Sequence, residues 1–251
     1  CWRNFMPSLD YPCVRPLGLT GLLVTFAGKM NESANRAALA FRAAVDAKGW
    51  VEVVETSTSL TSAFIRIDPL VGDPDAVAER LESLLATRDW LAADLPLGRR
   101  LWHIPVVLDG DGAPQLEEAA KAAGVTPDQA REEISAARIR VLTIGFAPGQ
   151  PYMGELPEHW NIPRQTKLNP RVPGGALVIA IRQLIIFSGP TPTGWRHIGQ
   201  NAFRCFRPES DDPTPLAIGD EVTFRRVSPS ELDQIAADDP EGGGASVEAL
   251  T

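Results

Sequence analysis

Apolar residues in the first third of the chain switch between strand-like and helix-like spacing. The apolar run 22–26 follows the turn signal Pro16-Leu17-Gly18 and predicts a strand. Asn31 then precedes a stretch, 32–48, whose apolar positions Ala34, Ala38, Phe41 and Val45 step by three or four residues, the period of a helix face. Gly49 is placed to end that helix, because glycine accepts the left-handed conformation of a helix C-terminus. Segments 51–55 and 62–67 are β-branched or alternating and predict strands, the second stopped by Asp68-Pro69. Asp73 as cap and Pro74 at the first helical position open a second helix to about Ala86, with Val77, Leu81, Leu84 and Leu85 on one face. Residues 14–90 thus read as β-α-β-β-α, a small α+β N-terminal domain with both helices on one side of a sheet. Residues 90–100, with Pro96 and Gly98, read as a linker.

A second unit is expected over 100–228. Strand 101–107 and the turn Asp109-Gly110-Asp111-Gly112 lead to a short helix, 115–123, closed by Gly124. Thr126 caps another helix, with Pro127 at its first position and Gln129 completing a capping box, running to about Ala137. From Ile139 the texture changes to short strands joined by Gly/Pro-rich connections: 139–146, 176–181, 184–188, 201–206 and 221–225. Many short strands with turns between them imply a β-barrel or sandwich. From 229 the chain is acidic and contains Gly242-Gly243-Gly244, so a short helix at 231–237 and otherwise a disordered tail to 251 are expected. No repeat at solenoid periods is visible.

Composition narrows the function. Hydrophobic residues make up 44%, enough for a sizeable core. A net charge of −8 argues against a nucleic-acid binder, which needs clustered positive charge. No apolar run reaches the roughly 20 residues of a membrane helix, and 177–187 is short enough to be a buried strand. Cys1, Cys13 and Cys205 are too scattered for a disulfide framework or a zinc site. They read as free thiols in a reducing cytosol, which makes a cytoplasmic protein the expectation. The first residue is Cys1 rather than Met, so a fragment or processed product is expected, and 1–12 lacks the pattern of a signal peptide.

Several spaced motifs then occur in one order. They are Gly145-Phe146-Ala147-Pro148-Gly149-Gln150-Pro151-Tyr152-Met153-Gly154, Pro163-Arg164, Pro170-Arg171, Val172-Pro173 with Gly175, Gln183, the run from Pro192 through Gly194-Trp195 to Ile198-Gly199, and Gly219-Asp220 with Val222 and Phe224. His103-Ile104-Pro105-Val106 and Leu116-Glu117-Glu118 add an upstream match. Over most of its length the chain resembles the family of the 5-oxoprolinase B subunit, known also as allophanate hydrolase subunit 1 or the Kip-type kinase inhibitor, with carboxyltransferase subdomain C. The resemblance implies an α+β N-terminal domain followed by a cyclophilin-like β-barrel domain. It implies membership of a heteromeric, ATP-dependent amide hydrolase, opening 5-oxoproline to glutamate or acting on allophanate. ATP would be used by the complex and need not bind this chain. The implied partners are a C-subunit-like carboxyltransferase-domain protein and an A-subunit-like protein. The chain departs from the family pattern at Ile134, Ile139, Gln150, Leu184 and Gln200, where the family has His, Tyr, an aromatic, Thr and Arg.

Each candidate residue has a functional and an ordinary reading. The glycine- and proline-rich loop 145–154 permits positive φ and close backbone approach, so Gly145, Phe146, Pro148, Gly149 and Tyr152 are candidates to cradle a carboxylate or phosphoryl oxygen. The alternative is a tight crossing between strands. Arg164 and Arg171, with Lys167, form a basic cluster in an acidic chain, suited either to an anionic substrate or to salt bridges with the surplus acids. His103 is a candidate general acid or base, or a half-buried histidine bonded to backbone. Gln183, which can donate and accept, is the polar residue retained from the family strand and a candidate for the catalytic set. Gly194, Trp195 and His197 make a second candidate binding loop, with Trp195 equally suited to a core. His159 reads as solvated. The histidines lack metal-ligand spacing, so no metal is expected.

No Ser-His-Asp order, nucleophile elbow or Walker A stretch is present, so an independent ATPase is not expected. The site is expected to complete itself against a partner protein. A regulatory binding protein, like the kinase-inhibitor members of the family, is the alternative.

Overall fold

The computed structural model describes residues 10–250, so Cys1 lies outside the described residues. These residues fall into two compact units that divide between Pro96 and Leu97.

The first unit carries a four-stranded antiparallel sheet in the order β1 (Cys13–Leu17), β2 (Gly21–Thr25), β4 (Ser62–Ile67), β3 (Val53–Thr58). Helices α1 (Glu32–Asp46) and α2 (Pro74–Leu85) bury Ala34, Ala38, Phe41, Val45, Val77 and Leu81 against Leu22, Val24, Ile65 and Ile67. The Asn31 and Asp73 side chains cap them by accepting from the amides of Ala34 and Asp75. The strand β1 was not expected, and the unit is β-β-α-β-β-α. Pro16 near its end argues against a strand, but β1 is an edge that pairs only with β2, where a missing N–H is tolerated. The expected linker begins inside this core: Trp90 is 3% exposed and meets Phe41 edge to face at 4.9 Å.

The second unit is built on an eight-stranded sheet in the order β12 (Arg196–Gln200), β9 (Ala176–Ala180), β10 (Gln183–Ile186), β7 (Pro151–Gly154), β6 (Ile139–Ile144), β13 (Glu221–Arg226), β5 (Arg100–Val106), β14 (Ser246–Ala249). Only β5 and β13 run parallel. The expected barrel is not closed by continuous ladders: the end of β5 meets the end of β12 in a single bridge, Val107 to Gln200. A separate ribbon pairs β8 (Asn169–Val172) with β11 (Thr191–Thr193). Helices α3 (Leu116–Ala123) and α4 (Pro127–Ala136) give Leu116, Ala119, Ala120, Ala130 and Ile134 to the main core, which also holds Ile104, Val141, Met153, Ile179, Leu184 and Ile198. Gly124 takes φ 75 to close α3, and Thr126 with Gln129 forms the capping box of α4.

Two further expectations fail here. Segment 201–206 is a loop, because the Asn201 Oδ1 accepts from the amide of Phe203 and turns the backbone out of a ladder. The acidic segment after 228 is ordered through 250: α5 (Pro229–Asp238) is capped by Ser228, and β14 pairs with β5. The glycines that suggested disorder form a turn, with the amides of Gly242 and Gly244 donating to the Asp239 carboxylate.

Alternation along the central strands produces a second, smaller core on the opposite face of the sheet. Leu184 and Ile186 of β10 enter the main core, whereas Ile185 and, one residue beyond the strand, Phe187 point the other way. There they join Val172, Ala176, Val178, Ala180 and Trp195, with Tyr152 packed alongside.

Candidate functional site

A cavity of about 260 Å³ opens on this second face. Tyr152, Ile185 and Phe187 come from the sheet, Thr191, Pro192 and Thr193 from β11, and Gly194 and Trp195 from the turn into β12. Phe146 and Gln150 come from the β6–β7 loop, and Arg164, Gln165 and Leu168 from the segment that follows Trp160. The Tyr152 and Trp195 rings meet edge to face at 6.1 Å and an interplanar angle of 79°. That geometry fixes an aromatic wall.

The signature loop is a tight hairpin between β6 and β7. The amide of Gly145 donates to the Gln150 carbonyl, and the amide of Gln150 to the Ala147 carbonyl. Gly149 takes φ 68, and a Cβ there would stand 2.1 Å from the Cys205 carbonyl oxygen. Its role is therefore close backbone crossing, the ordinary reading of this loop. Phe146 is unlike its neighbours. A phenylalanine at φ 69 is unfavourable, and its ring is 80% exposed at the cavity mouth.

Segment 163–169 carries Arg164 and is pinned from both sides. The Arg196 guanidinium, 9% exposed as a residue, donates to the Pro163 carbonyl at 2.7 Å and to Glu118 of α3 at 2.9 Å. The amide of Gln165 donates to the Gly194 carbonyl at 2.7 Å. Its side chain bonds the Trp195 carbonyl and Gln115. The Gln115 Oε1 also accepts from Asn169 Nδ2 at 2.7 Å and from the His197 amide at 3.0 Å. Short-range sequence signals could not find this network, because Gln115 lies 50 residues or more from each partner.

The Arg164 guanidinium carbon stands 5.1 Å from the Trp195 ring centroid, a cation–π contact. Among the described residues, Arg164, Lys167 and Arg171 form no ion pair, while Arg99, Arg100, Arg131, Arg182 and Arg196 are all paired with carboxylates. In a chain with a net charge of −8 this leaves local positive charge beside the cavity. Arg171 lines an adjoining hollow with Pro170, Pro190, Thr191 and Pro192, the last two shared with the main cavity.

Other candidates lie elsewhere. The His103 ring bonds Thr223 Oγ1 at 2.8 Å and stands 3.5 Å from Glu248, both on neighbouring strands, and it does not line the cavity. Gln183 shares a face with Ile185 but sits outside the lining, opposite Gly154. His197 is 7% exposed and also outside it. Burial lowers its pKa, only partly offset by hydrogen bonds to Gly199 and Gln200, and its Nε2 has no partner. His159, expected to be solvated, bonds Glu133 at 2.6 Å. Ile134, Ile139 and Leu184, three of the departures from the family pattern, are core residues and do not line this cavity. Gln200 bonds the Gly174 and Asn201 carbonyls. Among the described residues, no group of three or more His, Cys, Asp or Glu is arranged to hold a metal ion. No helix among them is long and apolar enough to cross a membrane.

The carboxyltransferase domain family, subdomain C and D, matches residues 12–216. The 5-oxoprolinase B subunit of Bacillus subtilis is 30% identical over 222 residues, covering 86% of this chain and 92% of the relative. The crystal structure of TTHA0988 superposes with a TM-score of 0.68 at 26% identity and covers 86% of this chain, which spans 40% of that longer chain. The Kluyveromyces lactis urea carboxylase shares the fold, with a TM-score of 0.70 at 16% identity, over 94% of this chain and 24% of that one. Motif order, fold and these likenesses agree, and the chain belongs to the family of the 5-oxoprolinase B subunit, built on the carboxyltransferase domain, subdomains C and D.

Proposed function

We propose that this chain is one component of a heteromeric, ATP-dependent amide hydrolase of the 5-oxoprolinase or allophanate hydrolase type. In that complex the cavity beside Trp195 holds a small cyclic amide or urea-like substrate. The observation that carries the reading is Arg164, a guanidinium without a carboxylate partner, held over Trp195 at the cavity. Such a group is the natural partner of a substrate carboxylate or phosphoryl oxygen.

The lining supplies a cation, two carboxamides, hydroxyls and aromatic faces, but no carboxylate, imidazole or thiol. Opening an amide needs a base or an activated nucleophile. On this reading the chain binds and orients, and the missing groups come from a C-subunit-like carboxyltransferase-domain protein in the cytoplasm. ATP is consumed by the complex, with an A-subunit-like protein as a further partner. The exposed Phe146 and Leu168 at the cavity mouth, 80% and 59% accessible, supply apolar surface for such a partner.

The test is co-expression with a C-subunit-like and an A-subunit-like protein, followed by ATP-dependent consumption of 5-oxoproline or allophanate. Arg164→Gln is expected to lower kcat/KM at least ten-fold while the complex still assembles. A complete, assembled complex inert on both substrates would overturn the reading.

A second reading is a regulatory binding protein. It draws on Pro170, Pro190 and Pro192 beside the unpaired Arg171, a proline-rich face suited to a protein partner. Capture and inhibition of a histidine kinase by the isolated chain would favour it.

A further inference from the structure

Gln150 is the one lining residue whose chemistry conflicts with its burial. It is 2% exposed and lines the cavity, and its hydrogen bonds among the described residues are those of its backbone. The wall around it is otherwise mostly aromatic or aliphatic, with Tyr152, Ile185, Phe187 and Trp195 nearby. A carboxamide enclosed in this way is costly unless a ligand or water bonds it. It is also not among the side-chain groups sealed from every solvent-sized space, as the Nε2 of His197 and the Nδ2 of Asn201 are. Its polar end therefore faces the cavity. The backbone holds it there, since both the amide and the carbonyl of Gln150 are engaged inside the hairpin.

We infer that Gln150 determines the specificity of this cavity, selecting a small carboxylate ligand that carries an amide or ureido edge. A carboxamide presents one acceptor and two donors, so it complements the adjacent C=O and N–H of such an edge. Arg164 takes the carboxylate, and Trp195 and Tyr152 bound the ring. A ligand of the same size without that edge covers Gln150 and leaves it without a hydrogen-bond partner. Sites built to hydrogen-bond a ligand reject analogues that lack the group far more strongly than apolar pockets reject a missing methylene. The inference rests on the cavity being the substrate site proposed above.

The experiment measures binding to the intact chain by titration calorimetry, with dihydroorotate as a cyclic ureide carboxylate, 5-oxoproline as a cyclic amide carboxylate, and cyclohexanecarboxylate as the acid without the edge. The wild-type chain is expected to prefer dihydroorotate over cyclohexanecarboxylate by about ten-fold or more, the scale of one buried hydrogen-bonding group. Gln150→Met, which keeps the length of the side chain, is expected to bring that ratio close to one by weakening the two cyclic amides alone. Gln150→Phe is a second variant with the same expectation. Arg164→Gln should weaken all three acids alike. An unchanged ratio in both Gln150 variants, with binding still dependent on Arg164, would overturn the role of Gln150 and leave the cavity reading standing. Absence of any Arg164-dependent binding would overturn both.

Discussion

Replacing Asp220 with alanine is expected to cost about 3 kcal/mol of folding stability, the low end for breaking a buried pair. The figure follows from the partners left behind. The carboxylate side chain is 3% exposed. It accepts from Arg100 Nη2 at 2.6 Å, the Arg100 amide at 3.0 Å, Trp102 Nε1 at 3.1 Å and the Ala217 amide at 3.0 Å. The Arg100 side chain is 34% exposed and keeps its bond to the Pro215 carbonyl, so water can solvate much of its charge. Three neutral donors lose their acceptor, at about 1 kcal/mol each. Asp220→Asn retains one acceptor oxygen and should cost about half as much. A loss of this size corresponds to a Tm lower by about 6–12 °C for a domain of this length. Thermal and urea unfolding followed by tryptophan fluorescence would measure it, because Trp102 belongs to the cluster. Arg100→Met combined with Asp220→Ala should show a coupling of about 1 kcal/mol or more. A loss below about 1 kcal/mol in Asp220→Ala, or strict additivity in the cycle, would refute the view that this carboxylate ties β5 and β13 to the 215–219 turn.

Gly149→Ala should destabilise by more than about 2 kcal/mol, from positive φ and the clash with Cys205. Gly145→Ala, which meets open space, should cost under about 1 kcal/mol, and equal losses in urea titration would sink the crossing argument. The depressed pKa of His197 means that, as pH falls below about 6.5, the unfolded chain takes up a proton that the folded chain resists. Stability should therefore fall with pH from about 6.5 down to the lower folded pKa, and His197→Gln should flatten that slope in urea titrations at stepped pH. Burial pushes the Cys205 thiol up to about 12, so iodoacetamide at pH 8 should modify Cys13 well before Cys205 in the native protein. Comparable labelling of both by peptide mass mapping would contradict the buried site.

Much of the fold was legible because its signals are local. Asn31, Asp73 and Thr126 each announced a helix through a bond to an amide two or three residues away, and the structure makes those bonds. Periodicity placed β4 and α2 closely. Of the candidate residues, Phe146, Tyr152, Arg164, Gly194 and Trp195 line the cavity, whereas Gly145, Pro148, Gly149, Arg171, Gln183 and His197 do not. His103 did not follow, because a histidine next to a strand proline carries no information about which face or neighbour it meets.

Local signals were enough to give the helices, several of the longer strands and the motif order that identifies the family, but not the short strands β7, β8, β11, β12 and β14. The tertiary structure alone decided which face of the sheet carries the cavity. All five residues of β9 are buried, since side chains pack on both sides, so alternation cannot distinguish the two faces. Only the fold could decide that Arg164 makes no ion pair among the described residues, because its neutralisation depended on where the 32 acids of the chain came to rest. The same holds for Gln150. In the sequence it is a departure from an aromatic position, and in the fold it is an enclosed carboxamide facing a cavity. Strand pairing and burial join residues far apart along the chain, and their physical consequences arise only when those residues meet.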